Sequence, residues 1–163
     1  MHNYLDTQKA LEAIVYVSQK TNNLFNVVKT LYFADKFHLE NYGRLITGDR
    51  YIAMEDGPVP SGAYDLIKFV RGDEFTYNSK IIDAHPEKAI KVVRDGKETM
   101  VSPLREYDPD YLSESDIECL DKSIELFAKM NTSKLWDIVH QEEAYKKTPP
   151  NKTMPISEII LSL

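Results

Sequence analysis

Leu24, Val27, Val28, Leu31, Tyr32, Asp35, His38, Leu39 and Tyr42 recur at steps of three and four, and Gly43 follows them. That spacing places them on one broad face of a helix of about five turns, and a glycine just past the last periodic residue is where a helix stops. A helix this long must bury its stripe, so the rest of the chain has to be arranged around it. Shorter segments of the same period are at hand to do so. Leu11, Ile14, Val15 and Ser18 line one face between Thr7 and Lys20, with Asp6 or Thr7 to cap the start and Asn22-Asn23 to close the end. Ile117, Leu120, Ile124 and Phe127 follow Ser113, whose partner Asp116 completes a capping arrangement with Asp in place of Glu. Leu135, Trp136 and Val139 follow a capping Asn131 or Thr132, and Ile156, Ile159, Ile160 and Leu163 keep helical spacing after Pro155.

The helical period disappears after Gly43. Thr47-Gly48-Asp49 reads as a turn, Arg50 to Met54 as a short strand, and Gly57-Pro58 as a second turn. Pro58 or Pro60 then suits the first turn of a helix with Val59, Ala63, Ile67 and Val70 on its face and Gly72 at its end. Phe75 to Val101 is more β-like, and Ile90–Arg94 and Lys97–Val101 flank Asp95-Gly96, a hairpin signal. Lys146 to Lys152 is loop. The expectation is an α+β, mostly α fold: a single domain over 1–163, helical, with a small antiparallel β element near 90–101.

Several function classes lose support at once. The longest apolar run is five residues, Ala13 to Val17, far short of the about 20 a membrane helix needs. No basic-then-apolar leader is visible, and the one cysteine, Cys119, provides no disulfide framework, so a cytoplasmic protein away from membranes is expected. A net charge of −6 weighs against direct nucleic-acid binding. The charge is uneven: Glu106 to Asp121 carries seven acids and no Lys or Arg, which leaves the remainder at +1. That stretch reads either as a solvated linker with an acidic helix start or as a face for a basic partner. Asp35 with His38, and His140 with Glu143, are i, i+3 pairs that facing helices can bring around a metal, although a histidine beside a carboxylate more often just hydrogen-bonds. No nucleophile elbow or glycine-rich phosphate loop is present. The expectation is no enzyme, no metal and no cofactor.

One segment is dense in another way. Tyr32, Tyr42, Tyr51 and Tyr64 lie near Arg44, Asp49 and Arg50, around turns held by Gly43, Gly48, Gly57, Pro58 and Pro60. Tyrosine and arginine give large contact area with a polar handle, which is what protein interfaces favour. Tyr32, Asp35, Arg44, Asp49, Arg50, Tyr51 and Tyr64 are therefore the candidate partner-binding residues.

In this segment Leu31-Tyr32-Phe33-Ala34-Asp35, His38-Leu39, Tyr42-Gly43-Arg44, Ile46-Thr47-Gly48-Asp49, Tyr51, Ala53 and Gly57-Pro58-Val59-Pro60, in that order, resemble the Panacea domain of SocA-like, phage-associated antitoxins. Leu112–Asp116 and His140–Tyr145 resemble its C-terminal helices, and Leu45, Asp56 and Tyr145 depart from its usual residues. The likeness spans about 24–146 and leaves 147–163 as a C-terminal extension. It implies a mostly α domain with a small antiparallel element, and an antitoxin that neutralises a cognate protein toxin encoded nearby by direct binding. An adaptor that delivers the bound toxin to a protease is the alternative from the same likeness. A metal-dependent enzyme built on Asp35, His38, His140 and Glu143 is the alternative from another class.

Overall fold

The computed structural model describes residues 5–161; His2 and Leu163 lie outside them. The first two helices are α1 (Thr7–Ser18) and α2 (Leu24–Tyr42). The Asp6 carboxylate accepts Lys9 N–H and the Asn23 side chain accepts Phe25 N–H, so each helix has a side-chain cap. α2 ends as its stripe indicates, on Gly43 at φ 76°, a left-handed conformation that glycine adopts without strain.

The helix α2 is buried on two faces rather than one. Val27, Leu31 and Ala34 join one apolar cluster with α1, and Tyr32, Phe33 and Leu39 join a second. Around α2 pack α1, α5 (Glu114–Ser123), α6 (Thr132–His140) and α8 (Ile156–Leu161). The capping box of α5 is present: Ser113 and Asp116 each accept the other's backbone N–H. A π-helical turn, Ile124–Ala128, follows α5, and Asn26 of α2 donates its side-chain amide to the carbonyls of Phe127, Ala128 and Met130. The widened turn frees carbonyls, and one buried amide takes them up.

The segment after α2 forms a sheet that the sequence reading divided differently. β1 (Tyr51–Met54) pairs antiparallel with β2 (Gly57–Pro60), in register Tyr51↔Pro60 to Met54↔Gly57. Gly57, Pro58 and Pro60 were expected to turn the chain and open a helix carrying Val59; instead they are strand, and α3 (Ser61–Arg71) begins after them. Ser61 N–H bonds Arg50 O, so alternation puts Gly57 and Val59 on the paired edge and both prolines on the outer edge, where a missing N–H breaks no ladder. The outer edge of β1 is occupied as well: Asn151 and Met154 donate N–H to the carbonyls of Ala53 and Tyr51, and Ala53 N–H goes to Lys152 O.

The second sheet is the expected hairpin, β3 (Ile90–Asp95) and β4 (Glu98–Pro103), turned at Gly96 with φ 62°. Val101 N–H bonds Asn22 O and ties it to the start of α2. Phe75 to Val101 is less β-like than its composition, because α4 (Ser79–Ala84) forms there, capped by the Asn78 side chain and closed by His85 in a left-handed conformation. A short α7 (Glu143–Lys146) precedes the loop to α8. Of the described residues 54% are helical and 14% strand, a mostly α, α+β fold. No helix among them is long and apolar enough to cross a membrane.

Candidate functional site

Most of the tyrosine-rich segment faces inward. Tyr51 is 2% exposed and donates its hydroxyl to Asp35 at 2.6 Å; Ile46 N–H reaches the other carboxylate oxygen at 2.7 Å. Burial pushes Asp35 up to about 7, against the pull of those two hydrogen bonds. Tyr32 is fully buried, donates to Glu142 at 3.0 Å and meets the Tyr51 ring edge-on; Lys36 pairs with the same carboxylate. Asp49 accepts Arg50, Gly62 and Ala63 N–H at 2.7–3.0 Å. Pro60, the N-cap of α3, has no side chain to accept them, so Asp49 caps that helix from the preceding turn. Burial raises Asp49 as well, with those N–H groups opposing.

The remaining predicted residues lie further out. Arg44 is exposed, donating to Leu45 O, Ile46 O and, at 3.2 Å, buried Asp116. Arg50 is exposed, and Tyr64 is half-buried with its hydroxyl on Arg71. The structure thus joins Tyr32, Asp35 and Tyr51 in one buried frame beneath the surface, with Asp49 anchoring α3 beside it.

The acidic stretch is more engaged than a solvated linker. Asp116 is fully buried, 2.8 Å from Lys9; burial alone would raise its pKa, but Lys9 and Ser113 hold it below the ordinary range. Glu118 accepts the Tyr42 hydroxyl, and Asp121 accepts that of Tyr16. Glu106, Asp110 and Glu114 remain exposed.

The residues named for a metal are held separately. His38 reaches Arg44 O and the Ser115 hydroxyl, His140 reaches Trp136 O and Glu55 O, and Glu143 pairs with Lys146. Among the described residues no three His, Cys, Asp or Glu side chains are placed to hold a metal ion.

A cleft of about 640 Å³ opens beside the buried frame. α2 lines it with Phe25, Val28 and Lys29, the first sheet with Met54 and Val59, and α6 with Trp136. Tyr64 of α3 and the hairpin tip at Lys97–Thr99 complete it. One wall is braced by stacked rings. Trp136 lies 3.6 Å from His140, centre to centre, and donates to Asp56; His140 bridges to Glu55 O, and the Tyr145 hydroxyl donates to Met54 O. α6 and α7 thereby grip the β1–β2 turn.

Of these lining residues only Tyr64 belonged to the predicted set. Five elements supply the rest, so no contiguous pattern marks them. One signal was available: Lys29 and Lys36 are a heptad apart in a helix apolar on both faces, where a solvated lysine has no place.

In comparison with known proteins, the family model for "Antitoxin SocA-like, Panacea domain" matches residues 27–146. No curated protein and no solved structure gives a match.

Proposed function

The chain belongs to the SocA-like, Panacea-domain antitoxin family, and from that premise we propose that it neutralises a cognate protein toxin in the cytoplasm by binding it directly. The family match across 27–146 carries the reading, since it covers both the buried frame and most of the cleft. The cleft supports direct binding: a concave, aromatic-lined surface on helices and a short sheet buries a partner's side chains without first having to order itself. In this reading the buried members of the tyrosine-rich segment, Tyr32, Asp35, Asp49 and Tyr51, shape the platform, while Tyr64, Arg44 and Arg50 remain at or near the surface.

The test is co-expression with the product of the neighbouring reading frame. Growth restored by this chain, with both proteins co-purifying as a complex, is the expected result; a toxic neighbour that it neither rescues nor binds overturns the reading. Toxin abundance in the rescued cells distinguishes occlusion, in which the complex accumulates, from delivery to a protease, in which toxin disappears. W136A should weaken rescue and co-purification while leaving the helical circular-dichroism signal intact.

A further inference from the structure

We propose that the cleft receives the carboxyl terminus of a partner polypeptide whose last side chain is apolar, with the Lys29 ammonium pairing the terminal carboxylate. The inference rests on the reading of the chain as a toxin-binding protein and names the chemistry of the segment bound. Lys29 is 1% exposed, yet its ammonium has one hydrogen-bond acceptor among the described residues, Pro58 O at 2.8 Å, and no carboxylate at ion-pair distance. An ammonium has three N–H donors, and burying it underused costs folding free energy that a lining methionine would not.

The surroundings of Lys29 suit an anion joined to an apolar group. Gly57 is what lets the ammonium sit at this wall of the cleft: a Cβ there would stand 3.3 Å from Nζ and 2.8 Å from Val139. Two helices begin at the cleft, α2 at Asn23–Phe25 and α6 at Thr132–Ser133, and helix N-termini favour negative charge. The Phe25 ring centre lies 5.1 Å from Nζ. At a chain end the carboxylate and the last side chain branch from one Cα, which matches that close pairing of cation and apolar ring. The remaining charged groups at the cleft, Glu55, Asp56 and Glu98 against Lys97, disfavour a polyanion.

Burial draws Lys29 down to about 7, and Asp56 only partly opposes it. A carboxylate beside the ammonium restores the charged form, so binding takes up protons and weakens above neutrality. Lys97, Glu55, Asp56, Glu98 and the Tyr64 hydroxyl are the other titratable groups around it.

The chain's one tryptophan, Trp136, lines the cleft and reports occupancy by its emission. Three acetylated peptides serve as probes: Ala-Ala-Phe with a free carboxylate, the same peptide amidated, and amidated Ala-Asp-Phe. At pH 6 the free carboxylate should bind at least tenfold more tightly than either amide, and less tightly at pH 9. K29M, and K29Q, which keeps a donor for Pro58 O, should bring it to the level of the amides. Equal affinity for the first two probes, no emission change with any, or undiminished binding by folded K29Q overturns the inference. Tightest binding of amidated Ala-Asp-Phe overturns the chain-end assignment. Rescue that persists in K29Q despite lost peptide binding overturns this inference alone; absence of rescue by the unaltered chain overturns the antitoxin reading.

Discussion

Asp35 and Lys29 are buried charges of opposite sign on α2, each without an ion-pair partner among the described residues, and burial moves both to about 7. Asp35 is raised above its unfolded value of about 3.9, so the folded chain holds more protons than the unfolded one between about pH 4 and 7, and stability falls as pH rises through that window. Lys29 is lowered from about 10.4, so the folded chain holds fewer protons between about pH 7 and 10, and stability climbs across it. These two groups together place a minimum of stability near neutrality. Urea denaturation from pH 5 to 9 should show the acid-side slope reduced in D35N and the alkaline-side slope reduced in K29M, with K29M more stable than the parent at pH 6 by about 1 kcal/mol or more. Glu12 behaves oppositely. It is fully buried, and burial alone would raise it, but bidentate Arg105 at 2.7 Å, Asp108 N–H and Gln8 hold it below the ordinary range. E12A leaves the Asp108 N–H without its acceptor while the exposed Arg105 turns to solvent and Glu106 O, and should lower unfolding free energy by about 2 kcal/mol in the same measurement. The sequence had placed Asp35 and Tyr32 on the apolar stripe of α2, which is why they are buried; it held no cue to Glu12, whose partner lies 93 residues away.

At the scale of elements, the hydrophobic period marked α1, α2, α5 and α6 with their caps, because those helices are long enough to show it. β2 was not legible: two prolines in four residues argue against a strand unless both face an unpaired edge, and which edge is unpaired is a tertiary fact. α4 was hidden for a different reason, since six residues are too few to establish a period. The β1–β2 turn is a tight junction between elements, because Gly57 adopts φ 109° against Val139 of α6 and Lys29 of α2. G57A combines backbone strain with overpacking and should cost about 2 kcal/mol in thermal or urea unfolding. It should also disturb the Trp136 emission, since the same turn supplies Asp56 to the indole.

At the scale of the whole molecule, the family match ends at 146, but the fold does not. Residues 151–154 pair along β1, and Met154 and Ile159 sit in the second apolar cluster with Tyr32 and Val139. The sequence reading treated 147–163 as an extension, and nothing in its composition announces a strand partner a hundred residues upstream. The cleft was equally hidden, because it exists only once α2, both sheets, α3 and α6 have met. Truncation after Lys146 exposes that cluster and the edge of β1, and should lower stability by roughly 4 kcal/mol from the two large side chains alone. Circular dichroism during urea titration checks this, with loss of a cooperative transition as the extreme result. The pairing of β1 with 151–154 also sets an order in time. A ribosome delivers Tyr51 long before Met154, so the nascent chain waits with one strand flank bare, and the native shape is sealed only late in translation.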